Sequence, residues 1–198
     1  MENEQPFINE VMIVENPGKQ DLTISAEYVK RDFAKYWDRS YINERIDKID
    51  NLNHRMLLRF LWMSGVRITE AVSLRKMDLD FPAYLMTVRW LKSRKYNYRV
   101  LPMHPRLKDI LQVYTATLKA EERVFPITRQ RAWQLTQKYL SGHPHQLRHS
   151  FAVNWLKCGG DVVMLHKVLG HAKIQTTMEY LKIVPADQGK ELIKIQFD

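Results

Sequence analysis

Residues 143–161, HPHQLRHSFAVNWLKCGGD, combine a clearly bounded helix with a concentration of basic side chains. The pattern predicts a helix over 145–158, which the glycine pair 159–160 ends, because glycine is common just past a helix C-terminus. His145 and Arg148 are three residues apart and therefore share one face of this helix. The stretch predicts a helix that presents nitrogen donors to a ligand.

The chain that follows predicts two more helices. One spans 162–169 and ends at Gly170, and the last clear helix spans 174–183. His171 directly follows the glycine, and Tyr180 lies nine residues further along. A histidine and a tyrosine hydroxyl are therefore expected close to the same helix.

An arginine lies between two helices upstream. An amphipathic helix is predicted over 51–62 and ends at Gly65, and a short helix follows over 68–74. Arg67 stands between them, where its guanidinium can point towards a helix N-terminus, a place that favours anions.

The periodicity changes in the middle of the chain. Segments 84–90 and 98–101 are rich in β-forming residues and flank the basic loop LKSRKYN at 91–97. Helices resume over 107–118 and 129–140. These elements predict a mainly helical fold with a small antiparallel sheet, in the α+β class.

The positive charge is unevenly distributed. The 198 residues include 31 Lys and Arg against 22 Asp and Glu, a net charge of +9. Windows 81–108 and 123–160 contain thirteen basic residues and no acidic one, whereas the first 50 residues hold 11 of the 22 acids. A polyanion such as nucleic acid is the expected partner, and two solvated basic faces are the alternative.

Other classes of protein are disfavoured. No run of about 18 apolar residues is present, so no membrane span is expected. The acidic N-terminus lacks the pattern of a secretion signal. Cys158 is the one cysteine, which excludes an internal disulfide and a cysteine-built zinc site, and a reducing intracellular compartment is expected.

Several residue types together suit phosphodiester chemistry without a metal. Such a reaction needs a nucleophile, fixed cations for the charge on the phosphate, and an acid for the leaving oxygen. Arginine binds phosphate through two parallel hydrogen bonds. The candidate residues are Arg67, Lys92, His145, Arg148, His171 and Tyr180.

Three of the candidates also have a structural interpretation, and that of His145 is a capping or surface histidine. Arg67 could form an ion pair with Glu70, which would orient it or cap its helix. His145 and His149 are four residues apart and could bind a metal, but the arginine between them opposes a cation and the expected carboxylates are missing. His149 is assigned to packing, and Tyr180 could have its ring in the core and its hydroxyl at water.

Four segments, in this order, resemble the catalytic domain of the tyrosine recombinases, the family of phage integrases and Xer resolvases. The resemblance extends from about residue 51 to 183. The segments are SGVRITEAVSLRKMDLD (64–80), TVRWLKSRKYNYRVLPMHP (87–105), HPHQLRHSFAVNWLKCGGD (143–161) and VVMLHKVLGHAKIQTTMEYL (162–181).

The resemblance implies a role for each candidate. Tyr180 would attack a DNA phosphate to form a 3′-phosphotyrosyl link, while Arg67 and Arg148 hold the non-bridging oxygens. His171 would donate to the phosphate, and His145 would assist proton transfer.

The basic hairpin would supply the general acid for the 5′-oxygen. Lys92 is the candidate and Lys95 the alternative. Further DNA contacts are expected from Arg89, Arg94, Lys95, Arg99, Arg129 and Arg131.

The resemblance implies a site-specific DNA recombinase that integrates, inverts or resolves DNA. The covalent intermediate conserves the energy of the broken bond, so neither ATP, a metal nor another cofactor is expected. Its partners would be double-stranded DNA and an accessory DNA-binding protein, and four copies of the chain would form a tetramer on DNA. The protein would act in the cytoplasm, at the nucleoid of a prokaryote, or would be encoded by a virus or plasmid. A DNA-binding regulator without catalysis and a topoisomerase with the same chemistry are the alternatives.

The domain organisation is expected to be simple. Residues 1–22 form a polar lead-in, 23–185 the catalytic domain, and 186–198 a tail that docks on a neighbouring protomer or packs on its own core. The acidic first 50 residues are unlike the helical DNA-binding domain usual in the family. The chain therefore resembles small members such as the fimbrial-switch invertases.

Overall fold

The computed structural model describes residues 36–90 and 97–184. Its α-helices are α1 Arg39–Asp47, α2 Leu52–Ser64, α3 Ile68–Ala71, α4 Pro105–Tyr114, α5 Arg129–Leu140, α6 Pro144–Lys157, α7 Val162–Leu169 and α8 Gln175–Met178. The strands are β1 Leu79–Asp80, β2 Leu85–Trp90 and β3 Asn97–Pro102, and 3₁₀ turns span Lys76–Asp78 and Glu179–Lys182. The prediction of a mainly helical fold with a small antiparallel sheet is confirmed.

The sheet has the antiparallel order β1-β2-β3. Met86, Val88 and Leu101 are buried, whereas Tyr98 and Val100 are exposed. Side chains alternate between the two faces of a strand, so this pattern places one face on the helices and leaves the other open.

Helix α2 lies at the centre of the core and packs along α6. Asn51 caps it by accepting a hydrogen bond from the backbone NH of His54 at 3.0 Å. The sequence predicts one apolar face, but all side chains from residue 56 to 62 are buried. Even Arg59 is buried, and it forms an ion pair with Asp47. The helix is surrounded because α1, α5 and α6 all pack against it.

Three predicted helices differ most from those in the structure. The helix predicted over 68–74 stops at Ala71, and that over 107–118 becomes α4, which starts earlier at Pro105. Proline suits this first helical position because its missing NH would have no partner there. The last helix divides into α8 and a 3₁₀ turn that contains Tyr180.

Two parts of the domain prediction lie outside the described residues. These are the lead-in at 1–22 and the tail at 186–198. Within the described parts, no helix is both long and apolar enough to cross a membrane.

Candidate active site

The backbone reverses after α2 and after α7, at Gly65 and Gly170. Both glycines adopt positive φ, at 63° and 61°, a conformation that is strained for other residues. The carbonyl of Gly65 accepts a hydrogen bond from Arg148 Nη1 at 2.7 Å, and that of Gly170 accepts one from Arg67 Nη2 at 3.1 Å. Since the C-terminal end of a helix carries partial negative charge, the two helix ends position two cations.

A third carbonyl brings the two arginines together. Leu169 O lies 2.5 Å from Arg148 Nη2 and 3.4 Å from Arg67 Nη1. Arg148 is only 2% exposed, and its Nε has no hydrogen-bond partner among the described residues. Burial, and next the charge of Arg67, lower the pKa of Arg148 to about 9. The group still carries its charge at neutral pH and is poorly neutralised.

Glu70 is the buried anion of this cluster. Its carboxylate accepts from the backbone NH of Arg67 at 2.7 Å and from Arg67 Nη1 at 3.2 Å. Both terminal nitrogens of Arg99 donate to it, at 2.8 and 2.9 Å. The sequence-based interpretation that Glu70 orients Arg67 and caps its helix agrees with this geometry. One carboxylate faces three guanidinium groups, so the cluster retains positive charge that suits an anion.

We expect Glu70→Gln to lower the free energy of unfolding by about 1.5–3 kcal/mol at pH 7, the range for a hydrogen bond to a charged group. Burial opposes ionisation, but Arg99, and then Arg67, outweigh it and lower the pKa of Glu70 below 4.5. The ionised carboxylate therefore stabilises the fold above pH 4.5. This stabilisation is lost as the pH falls through the lowered pKa of Glu70 in the folded protein. The free energy of unfolding measured in urea should therefore depend less on pH in the acid range for Glu70→Gln than for the wild type. An equal acid dependence in both proteins would contradict the ion pair.

An open cleft of about 580 Å³ lies over the arginines. Arg67, Arg148 and His145 line it together with Arg129 and Trp133. The indole of Trp133 is half exposed at this cleft. The cleft thus combines fixed cations with an accessible aromatic ring, a combination that suits a phosphate ester.

Inorganic sulfate is expected to bind between Arg67 and Arg148 and to raise the melting temperature. At ten times its dissociation constant, sulfate would contribute about 1.4 kcal/mol of stability. Differential scanning fluorimetry with chloride at matched ionic strength measures this gain. Arg67→Gln should lose it, whereas Arg131→Gln, which changes an exposed arginine outside the residues that line the cleft, should retain it. A gain that Arg67→Gln leaves unchanged would place the anion elsewhere.

A group of histidine rings surrounds Tyr180. The tyrosine is 2% exposed, and its Oη lies 2.6 Å from His149 Nδ1. The ring of His145 meets that of His149 edge-on, with centroids 4.4 Å apart. The ring of His171 lies nearly parallel to that of Tyr180 at 6.4 Å. A phenol oxygen and three imidazoles therefore lie beside the buried guanidinium of Arg148.

The protonation states in this group follow from burial and from the nearby cations. Burial raises the pKa of Tyr180 to about 12, although Arg148 acts in the opposite direction. Burial and then the charges of neighbouring basic groups lower the pKa of His149 and of His171 to about 3 each. At neutral pH the phenol is protonated and these two imidazoles are neutral.

Thr177 links two histidines. Its Oγ1 lies 2.9 Å from His171 Nδ1 and 3.2 Å from His166 Nδ1. The single hydroxyl hydrogen can serve only one of these rings, so at least one ring donates to the oxygen. The threonine thereby restricts the tautomers of the two histidines and holds His171 beside Tyr180.

The structure brings five of the six predicted catalytic residues into one region. These are Arg67, His145, Arg148, His171 and Tyr180. Lys92, and with it Lys95 and Arg94, lies outside the described residues. The site also contains His149, which the sequence interpretation assigned to packing. Its spacing of four residues from His145 is the signal that could have indicated it.

The arginines predicted to contact DNA differ in their surroundings. Arg99 is held by Glu70, and Arg89 Nη2 lies 3.5 Å from Asp78 Oδ1. Arg129 lines the cleft, and Arg131 is exposed. DNA contacts by these side chains stay a prediction. Among the described residues, no group of three or more His, Cys, Asp or Glu could hold a metal ion.

Comparisons with known proteins identify relatives of one kind. The model of the phage integrase family matches residues 38–186. Tyrosine recombinase XerA of Pyrococcus horikoshii is 30% identical over 184 residues, which cover 83% of this chain and 64% of the relative. Tyrosine recombinase XerC of Chlamydia pneumoniae is 29% identical over 157 residues, 70% of this chain and 49% of the relative. The chain thus spans between about half and two thirds of the length of such relatives.

Solved structures share the fold. The catalytic domain of bacteriophage HP1 integrase has a TM-score of 0.64 and 23% identity, and the match covers 80% of this chain and 94% of that domain. The crystal structure of XerA recombinase has a TM-score of 0.60 and 22% identity, over 82% of this chain and 66% of that one.

Proposed function

Because the chain belongs to the phage integrase family of tyrosine recombinases, we propose that it cuts and rejoins double-stranded DNA at specific sites through a 3′-phosphotyrosyl intermediate. One observation carries the proposal. The phenol of Tyr180 lies among imidazoles beside the guanidinium of Arg148, which shares a cleft with Arg67. A nucleophile next to paired phosphate-binding groups is the arrangement that transfer of a phosphoryl group to tyrosine requires.

In the proposed first step, the oxygen of Tyr180 attacks the phosphorus and the bond to the 5′-oxygen breaks. Negative charge on the non-bridging oxygens is met by Arg67 and Arg148, whose positions are fixed before DNA arrives. His171, held by Thr177, donates a further hydrogen bond. Lys92 supplies the proton for the 5′-oxygen, with His145 at the cleft to assist.

The second step reverses the first with another DNA end. A 5′-hydroxyl attacks the phosphotyrosyl link, restores the phosphodiester and releases Tyr180. The number of phosphodiester bonds is the same before and after, so the exchange needs no external energy. A solved neighbour is XerH recombinase bound to its difH substrate in a pre-cleavage complex, and we propose duplex DNA as the substrate here. A tetramer on two duplexes and an accessory DNA-binding protein belong to the same proposal.

The test is capture of a covalent adduct from a pool of nicked duplexes whose sequence is randomised. Cleavage next to a nick releases a short 5′-hydroxyl strand, so rejoining fails and the adduct accumulates. Denaturing gels isolate the adduct, sequencing identifies the recovered DNA, and mass spectrometry identifies the linked peptide. We expect one enriched DNA sequence attached to Tyr180. Adducts without sequence enrichment would favour a topoisomerase, and a shift on native gels without any adduct would favour a DNA-binding regulator.

Binding to a fluorescent duplex is expected to weaken steeply as KCl rises, since several phosphate contacts release counterions. Anisotropy titrations at several salt concentrations give the slope of log affinity against log salt. Arg129→Gln and Arg131→Gln should each reduce this slope by about one, as expected for loss of one phosphate contact. A slope near zero for the wild type would contradict binding through phosphates.

A further inference from the structure

His149 contacts the atom that reacts. It lies on α6, one turn after His145, and its Nδ1 is 2.6 Å from the hydroxyl oxygen of Tyr180. A distance this short indicates a strong hydrogen bond. A general base must lie within about 2.6–3.2 Å of the group whose proton it removes. His149 satisfies that requirement before any DNA is bound.

The direction of this hydrogen bond depends on the tautomer of His149. His149 is neutral at pH 7, because burial, then His145 and Arg148, lower its pKa to about 3. The hydroxyl of Tyr180 is protonated, since burial raises its pKa to about 12. A neutral imidazole that carries hydrogen on Nε2 accepts at Nδ1, and the phenol then donates to it.

We propose that His149 is the base that accepts the proton of Tyr180 as its oxygen bonds to phosphorus, an assignment that rests on the proposed function. The phenol hydrogen moves to His149 Nδ1, the bond from the tyrosine oxygen to phosphorus forms, and the bond from phosphorus to the 5′-oxygen breaks. The leaving oxygen receives its proton from the hairpin acid. In the rejoining step the incoming 5′-hydroxyl gives its proton back to the acid, Lys92, and His149 returns its proton to Tyr180, so the enzyme is regenerated unchanged.

Bound DNA would itself raise the affinity of His149 for a proton. The groups that face His149 are His143, His145 and Arg148 on or next to α6, His171 after α7, and Tyr180. Burial disfavours a proton on its ring most, and the basic groups among these neighbours add to that effect. A phosphate between Arg67 and Arg148 adds negative charge, offsets these cations and raises the affinity of His149 for a proton. The nucleophile is thereby activated when substrate is present.

The decisive comparison is His149→Asn with two forms of the nicked duplex recovered from the pool. Asparagine keeps a hydrogen-bonding atom near the position of Nδ1 but cannot take up a proton. We expect adduct formation to slow on the order of 10²-fold or more, as for loss of a general base. The matched control is His54→Asn, because His54 Nδ1 contacts Tyr139 Oη at 3.2 Å outside the site. That variant should react like the wild type.

The second form of the duplex carries sulfur in place of the 5′-bridging oxygen. A thiolate leaves without protonation, so this substrate relieves the loss of an acid but not of a base. Lys92→Ala should recover on the sulfur substrate, whereas His149→Asn should remain slow. Recovery of His149→Asn to the wild-type rate would assign His149 to the acid step and overturn the proposal.

Fluorotyrosine at position 180 tests whether His149 acts as a base or only packs against Tyr180. Fluorine makes the phenol more acidic, so the phenol depends less on a base. It should accelerate His149→Asn more than the wild type. Equal acceleration would overturn the proposal, as would a wild-type rate for His149→Asn.

Thermal unfolding is measured before these assays, and His149→Gln is the second variant if His149→Asn is unfolded. A wild type that forms no adduct overturns the proposed function as well, whereas an active wild type with an equally active His149→Asn overturns this assignment alone.

Discussion

Tyr180→Phe is expected to abolish covalent adduct formation entirely and to leave the fold intact. The change removes one oxygen, the atom that would bond to phosphorus. The remaining ring can still pack against the second apolar cluster, which includes Val153, Leu165 and Leu169. The lost hydrogen bond to His149 should cost about 1 kcal/mol of unfolding free energy.

Tyr139→Phe provides the matched control for this experiment. Tyr139 also has a hydroxyl in contact with a histidine, His54, but it lies on α5 away from Tyr180. Denaturing gels should show an adduct for the wild type and Tyr139→Phe and none for Tyr180→Phe. Native gels should show all three bound to DNA. An adduct that persists in Tyr180→Phe would place the nucleophile elsewhere.

Helix bounds were predictable where their signals are local. Helices α5 and α7 begin and end at the predicted residues because each has a side-chain cap, Thr128 or Asp161, that accepts a backbone hydrogen bond. Gly170 ends α7 with positive φ, a conformation that glycine adopts without strain. Local chemistry decides such positions.

The contacts among the arginines were not predictable in the same way. Arg67 and Gly170 are 103 residues apart, and Arg99 and Glu70 are 29 apart. The spacing of three residues indicated the pair of Arg67 and Glu70, but no local pattern indicated Arg99 as its second partner. Such contacts exist only once the fold brings distant helix ends together.

The contact between His149 and Tyr180 was also not predictable from the sequence. The direct neighbours of His149 in the sequence are Arg148 and Ser150, and the sequence interpretation assigned it to packing. Its contact with Tyr180 depends on the 3₁₀ turn after α8, where a regular helix was predicted. The structure of this turn therefore decides whether the histidine meets the nucleophile.

Arg148→Lys is expected to slow adduct formation on the order of 10²–10³-fold, the loss typical of one donor to a transition-state oxyanion. The guanidinium joins two helix ends, with Nη1 on Gly65 O at 2.7 Å and Nη2 on Leu169 O at 2.5 Å. Lysine keeps the charge but has one nitrogen, so it cannot hold both carbonyls and also form a two-pronged contact with phosphate. Loss of one of these hydrogen bonds from a charged donor should cost about 1.5–3 kcal/mol of unfolding free energy.

The measurement that isolates this effect is the single-turnover rate of adduct formation at saturating protein. Arg131→Lys is the control, because Arg131 is exposed and should react at the wild-type rate. Affinity for duplex DNA and its salt slope should be nearly unchanged in both variants, since each retains its charge. A loss confined to affinity would make Arg148 a general phosphate contact. A loss confined to the rate would instead mean that the fixed, forked guanidinium of Arg148 stabilises the charge that develops during cleavage. A buried guanidinium held by two helix ends is suited to that role.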